Sequence, residues 1–206
     1  MTPRGRRESR PSGDDRQAAL LATAERLLAE KPFDDISIED LASGAGISRP
    51  SFYFYFSSKD EVLLALLDQV ITEVEGHVAS LPRDFGSEPA AAWRRSIEVF
   101  VDVFTAHRAV ATAAVAAMSR SQEVHDLWAR SMKSWISYTA DVIRAERARG
   151  AAPEGADALD LATALNLMNE RVLTAGFGRE TTSISSSNVL DVLSGIWLHS
   201  IYGQGE

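Results

Sequence analysis

Cysteine is absent from the 206 residues. Disulfide frameworks, thiolate metal sites and cysteine nucleophiles are therefore excluded. The four histidines (His77, His107, His125 and His199) lie far apart, and no two have metal-ligand spacing. Each reads as a surface or singly bonded side chain, and neither a metal nor a cofactor is expected. No apolar run approaches the ~20 residues that span a bilayer. The start of the chain, Pro3 to Arg10, is basic and has no apolar stretch behind it, so it is no secretory signal. The cytoplasm is the expected compartment, without membrane attachment. A Gly-x-Ser-x-Gly elbow, a phosphate loop and paired metal ligands are all missing, so no catalytic residue is assigned. Glu170, close to Asn166 and Asn169, is the one acid/base candidate. A pairing with Arg171, Arg94 or a nearby amide is the preferred reading for it.

Positive charge is the scarcer sign: 21 Lys and Arg against 29 Asp and Glu give −8. Its distribution matters more than its sum. Residues 1–59 carry nine basic and nine acidic side chains, whereas residues 60–206 carry twelve and twenty. Arg4, Arg6, Arg7 and Arg10 crowd the first ten residues. An acidic body with a basic arm suits a protein that meets DNA at one end only.

The pattern along the chain is helical, with no sustained strand alternation and no internal repeat. Residues 1–13 read as a flexible basic arm. A helix capped by Asp14 or Asp15 follows, with Leu20, Leu21, Ala24, Leu27 and Leu28 on one face until Lys31-Pro32 ends it. Ser37 and Asp40 have capping-box spacing, and Gly46 breaks the short helix they open. Ser48 to Pro50 begin another. Ser58 to Glu61 form a second capping box, which opens a long helix through Val74. Helical spacing returns over 90–107, 109–118, 121–149, 156–177 and 187–202. The expected fold is all-α with about nine helices: a helix-turn-helix domain over 14–60 and a larger helical domain over 61–206.

Chemistry concentrates between Ser37 and Lys59. Two short helices meet at Ala45-Gly46-Ile47, where Ala42 is small enough for close approach. Ile38, Leu41, Ile47, Phe52 and Phe56 are the expected core beneath. Phe52 and Phe56 share a face, which turns Arg49, Ser51, Tyr53 and Tyr55 outward. An arginine suits guanine or phosphate, and three hydroxyls suit phosphate oxygens. A hairpin that merely packs is the alternative. Five consecutive aromatics at 52–56 exceed what a packing face needs, because they point around the whole helix.

Residues 46–59, Gly-Ile-Ser-Arg-Pro-Ser-Phe-Tyr-Phe-Tyr-Phe-Ser-Ser-Lys, resemble the signature of the TetR family, and the preceding Ile38 to Ala42 fit its second helix. The resemblance implies three N-terminal helices for DNA, a connecting fourth helix, and a C-terminal domain for ligand and dimerisation. By position it implies phosphate contacts from Ser37, Ser51, Tyr53, Tyr55 and Lys59. It places Arg49, with Pro50 and Phe54 beside it, against base edges. The arginine arm is an extension that we expect in the adjacent minor groove.

In the larger domain, Trp93, Ile97, Phe100 and Phe104 form one stripe. Trp128, Met132, Trp135 and Tyr138 lie near one face of a second helix. Asn166, Asn169 and Leu173 share a side of a third, and Trp197 lies on the last. A plain hydrophobic core is the simplest reading of any one aromatic. The convergence of so much bulk, with two amides in an apolar helix, points to a pocket. Trp93-Arg94, residues 135–139 and residues 162–171 are similar to one branch of the same family. That branch contains a repressor of a flavin monooxygenase with an elongated tunnel for apolar ligands. The similarity implies that the twelve residues of this paragraph line such a tunnel. Ala92, Ser96 and Thr174 stand where it implies Met, Gly and Phe.

Leu161, Leu165, Met168 and Val172, with Val189, Val192, Leu193 and Ile196, read as an apolar two-helix surface. The family resemblance makes helices 157–177 and 187–202 a homodimer interface; packing within one chain is the alternative. The expected partners are double-stranded operator DNA, an apolar effector and a second copy of the chain. The expected function is repression relieved by that effector, with a monooxygenase gene as target. An activator of the same fold would make the same DNA contacts. A hydrophobic-ligand carrier or enzyme is the remaining alternative.

Overall fold

The computed structural model describes residues 12–81, 85–86, 88–178 and 181–203. The four arm arginines lie outside that set. Ser12, rather than Asp14 or Asp15, caps the first helix, α1 (Gly13–Glu30). Its Oγ accepts the Asp15 N–H at 3.1 Å, and the Asp15 carboxylate accepts the Ser12 N–H at 2.8 Å. Asp15 is thus the third residue of a capping box, a role its type fits as well as the cap itself. After Lys31-Pro32 a 3-10 turn, Phe33–Asp35, leads to α2 (Ile38–Gly44).

The α2 box forms as expected. Ser37 Oγ accepts from the Asp40 N–H at 3.1 Å, and Asp40 Oδ2 accepts from the Ser37 N–H at 2.9 Å. The helix ends on Gly46, whose φ of +68° sends the chain back. The Ile47 N–H then donates to the Ala42 carbonyl at 2.9 Å, satisfying a group the helix end would leave bare. α3 is a single turn (Arg49–Phe52), capped by Ser48 and followed by a turn over 53–55. α4 (Lys59–Ala79) starts with only half the expected box: Ser58 Oγ accepts the Glu61 N–H, while the Glu61 carboxylate reaches one residue further, to Ser57.

Two compact units meet at Leu66/Leu67, inside α4 and six residues beyond the boundary expected from the motif. In the first unit, Leu20, Leu41, Phe52, Phe56, Val62 and Leu63 are buried. Ile38 and Ile47, expected there, are only half-buried. Phe33 and Ile36 take that space instead. Ile36 precedes the cap and Leu41 lies four residues into the helix, the two positions of a hydrophobic staple. Ala42 is fully buried, and Gly44 also lies close to α1: a Cβ there would collide with the Thr23 methyl.

The second unit continues with α5 (Pro89–Ala106), α6 (Arg108–Ala117), α7 (Gln122–Ala148), α8 (Ala158–Phe177) and α9 (Val189–Tyr202). α7 packs along α8, and α5 against α9. One core joins Trp93, Ile97, Ile143, Leu165, Leu193 and Trp197. At its edge Glu146 is buried, and its carboxylate accepts two bonds from Arg149, at 2.7 and 2.6 Å, and one from the Tyr202 hydroxyl at 2.8 Å. Trp93 Nε1 donates to that same hydroxyl at 3.0 Å, so α5, α7 and α9 are tied together. Burial, reinforced by the Glu146 acceptor, pushes the Tyr202 phenol well above its ordinary value. Among the described residues there are nine α-helices and no strand. No single helix there is long and apolar enough to cross a membrane.

Candidate DNA-reading turn and ligand cavity

The turn after α2 sorts its aromatics by side. Phe52 and Phe56 point inward, 0% and 4% exposed, with ring centroids 6.1 Å apart. Tyr53 is 50% and Phe54 86% exposed. Arg49 and Pro50 are exposed too, and Ser51 and Tyr55 half-buried. Pro50 sits in the first turn, where its missing N–H leaves no bond unmade. An aromatic ring left in water gains nothing from burial, so Phe54 is held outward by its backbone rather than by packing. Ser51 Oγ lies 2.8 Å from Ser48 Oγ, which orients both hydroxyls.

Two residues of this group are already engaged. Ser37 Oγ donates to Asp40 Oδ2 at 2.8 Å, within its cap. Lys59 Nζ donates to the carbonyls of Phe33, Asp34 and Ile36 at 3.0, 3.1 and 3.0 Å, and lies 4.7 Å from the Phe33 ring centroid. Those bonds use all three ammonium hydrogens. Lys59 therefore fastens the 3-10 turn to the start of α4, and a phosphate would have to displace one of these carbonyls.

In the second unit a narrow cavity, about 880 Å³ including its open mouth, lies among α5, α6, α7, α8 and α9 and reaches the end of α4 at Val78. Trp93, Ile97, Phe100, Phe104, Trp128, Met132, Trp135, Tyr138, Asn166, Asn169, Leu173 and Trp197 all line it. The helical spacing of the aromatics brings their rings together edge to face: Phe100 on Trp135 at 5.0 Å, Phe104 on Trp128 at 5.7 Å, Trp128 on Trp135 at 5.8 Å. Trp93 meets Trp197 at 5.1 Å.

Both amides have protein partners. Asn166 Nδ2 donates to Thr139 Oγ1 at 3.2 Å and to the Ala162 carbonyl at 2.8 Å. Asn169 Oδ1 accepts from Trp197 Nε1 at 3.0 Å. Glu170 accepts from Trp128 Nε1 at 2.7 Å, not from Arg171 or Arg94. Arg94 instead pairs with Asp191. Nothing in the residue pattern points to the α6 wall, Ala111, Ala114, Val115 and Met118. Small apolar side chains carry no signal that separates a cavity wall from a core. Leu173 and Phe177 also border a second, wetter cavity lined by Thr105, Arg108, Ser183, Ser185 and Ser186. No group of three or more His, Asp or Glu that could hold a metal occurs among the described residues.

Comparison with known proteins converges on one family. Residues 20–66 match the model of bacterial regulatory proteins of the tetR family, and residues 93–203 that of the C-terminal domain of the transcriptional regulator EthR. The chain is 55% identical to the HTH-type transcriptional regulator EthR of Mycobacterium tuberculosis over 205 residues, 98% of this chain and 94% of the relative. The chain belongs to the TetR family of transcriptional regulators. A second EthR, from Mycolicibacterium smegmatis, is 51% identical over 98% of this chain and 93% of its own. A solved regulator from Saccharomonospora viridis in complex with choline, 21% identical, superposes with a TM-score of 0.78 over 93% of this chain and all of the other; that likeness shows the shared fold. As a TetR-family member the chain is a DNA-binding transcriptional regulator and not an enzyme.

Proposed function

We propose that this TetR-family regulator is a repressor that binds operator DNA as a homodimer and is released by an apolar small molecule. The observation that carries the reading is the course of α4. It begins at Lys59, which fastens the base of the DNA-reading turn, and its far end supplies Val78 to the aromatic cavity. A ligand wedged against Val78 displaces the helix that leads to the turn. It shifts operator binding only by its different affinity for the two positions. Arg49 and Phe54 are assigned to base edges and Tyr53, Tyr55, Ser51 and Ser37 to phosphates. Lys59 acts by holding the turn.

A lone recognition turn this short needs a second copy about one DNA turn, ~34 Å, away. Four exposed aliphatic side chains on α8 and α9, Leu159, Leu167, Val192 and Ile196, support the assignment of these helices to the dimer interface. This face keeps Val192 and Ile196 of the surface read in the sequence, whereas Leu165, Val189 and Leu193 of that surface are buried within the chain. The basic arm ahead of the Ser12 cap is assigned to the minor groove, and the target, by likeness to EthR, to a monooxygenase gene.

The test is a mobility shift on the intergenic DNA upstream of the protein's own gene, with salt varied and an apolar ester added. Saturable binding that weakens with salt and is released by the ester is the expected result. Ester that binds tightly yet leaves operator affinity unchanged would sink the release mechanism. Sedimentation showing a monomer at micromolar concentration would sink the dimer.

A further inference from the structure

The second cavity touches the first at Leu173 and Phe177 but carries the opposite charge. Glu170 is the one charged side chain that lines the first, and Arg108 the one that lines the second. Val101 and Thr105, four apart, share a face of α5, and Arg108 opens α6. Val172 and Gly176 share a face of α8 in the same way, and Ser183 to Ser186 with Val189 complete the lining. Polar and apolar groups are sorted by depth. Leu173 and Val189 are buried and Val101, Val172, Phe177 and Ile184 half-buried, whereas Thr105, Arg108 and the three serines are exposed. The cavity therefore has an apolar floor and a polar rim. Arg108 makes no ion pair with any described residue, and the Ser183 and Ser186 hydroxyls have no partner among them. At Val189 the lining reaches the first residue of α9. Asn188 gives that helix no side-chain cap, and Asp191, the one acid of its first turn, is held by Arg94 at 2.6 Å. The positive end of the helix thus has no cap of its own.

One guanidinium flanked by hydroxyl donors suits a single negative charge, and its planar fork matches the two oxygens of a carboxylate. Six apolar side chains beneath suit an alkyl chain, which a small inorganic ion lacks. A cationic ligand would meet like charge at Arg108. The acidic excess over 60–206 opposes any anion at long range. That repulsion is screened beyond about 8 Å at physiological salt, whereas contact with Arg108 is direct. We infer that the cavity bounded by α5, α8 and the start of α9 is a second ligand site, which takes a monocarboxylate with an aliphatic chain. The carboxylate lies at Arg108 and the serines, and the chain lies against Leu173, Phe177 and Val189. This site stands apart from the effector reading of the first cavity and does not depend on it.

The test is calorimetry on the full chain with octanoate as probe, acetate as the head alone and 1-octanol as the tail alone. Acetate is expected to bind weaker than octanoate by about tenfold or more. Arg108→Gln is expected to weaken octanoate about threefold to tenfold and to leave 1-octanol unchanged. Gly176→Leu fills the second cavity from a position that does not line the first, and where an added Cβ meets nothing within 4 Å. It is expected to weaken octanoate at least as much. Octanoate that fails to bind the unaltered chain overturns the inference. So does octanoate that binds both variants as before, since the probe then occupies the first cavity. Acetate as tight as octanoate, or a loss confined to Arg108→Gln, overturns the placing of the chain on the apolar floor. A loss confined to Gly176→Leu overturns the pairing of the carboxylate with Arg108.

Discussion

The two units spend their aromatic residues in opposite ways. The candidate DNA-reading turn leaves Phe54 and Tyr53 facing water, while the second unit turns Trp93, Phe104, Trp135 and Trp197 inward until they are at most 7% exposed. The same residue types serve both because what matters is where the backbone directs them. A one-turn helix after Gly46 cannot bury five consecutive rings. Helices of 18, 27 and 20 residues (α5, α7 and α8) can carry a long inward stripe, and their bulk leaves a slot between them. Exposed rings are available to a partner from outside, and inward rings to one that enters.

The sharpest way to break this contrast lies within the turn itself. Phe52→Ala should cost about 3–5 kcal/mol, because a fully buried ring leaves a cavity. Phe54→Ala, two residues on, should stay within about 0.5 kcal/mol of the unaltered stability while weakening operator binding. Urea titration and mobility shift on both variants check the pair. If Phe54→Ala unfolds the unit, its exposure is not what it is in solution.

Next in size is the edge of the second unit. Glu146→Ala strips the acceptor from Arg149 and Tyr202 and should cost about 2–3 kcal/mol, below the full cost of a buried pair because Arg149 is partly exposed. Tyr202→Phe should cost about 1 kcal/mol, mainly through the lost Trp93 bond. Thermal unfolding measures both. A larger loss from Tyr202→Phe than from Glu146→Ala would mean that the phenol, not the carboxylate, anchors the network.

On the DNA side, Arg49→Ala should lower operator affinity by about 1–3 kcal/mol and relax specificity, with unfolding midpoint unchanged. An effect equal on all DNA sequences would move Arg49 from base edges to phosphate. Gly46→Ala should cost about 1 kcal/mol in stability, because a side chain at φ +68° is strained although the surrounding space is open.

Local chemistry was legible in the sequence, and distant pairing was not. The Ser37–Asp40 box, the break at Gly46 and the inward Phe52/Phe56 pair depend on neighbours a few residues away. The stripes of α5, α7 and α8 show in spacing because their other faces are polar. α9 is apolar over most of its surface, so periodicity had no polar reference to say that Leu193 faces in and Ile196 out. Lys59 finds carbonyls 23 to 26 residues back, and Glu170 finds an indole 42 residues back, and no spacing rule announces either. The bland α6 wall was invisible for a different reason: alanine at a cavity and alanine in a core are the same letter.

The smallest effect concerns acid. The Lys31 ammonium, 2.9 Å from Asp40 Oδ2, together with the Ser37 N–H and hydroxyl, holds the Asp40 carboxyl well below its ordinary 3.8. A depressed carboxyl contributes stability that is present above the unfolded value and is lost as pH falls toward the folded one. The pair is partly exposed, so its weight is small. The thermal midpoint of Asp40→Asn should therefore lie below that of the unaltered chain at neutral pH, and the gap should narrow once pH drops under about 4. Lys31→Ala should show a similar but smaller gap, since the Ser37 bonds survive it. A gap that stays constant down to pH 2 would mean that the Asn amide disturbs the cap by its shape, and that the charge on Asp40 contributes nothing to holding α2 in place.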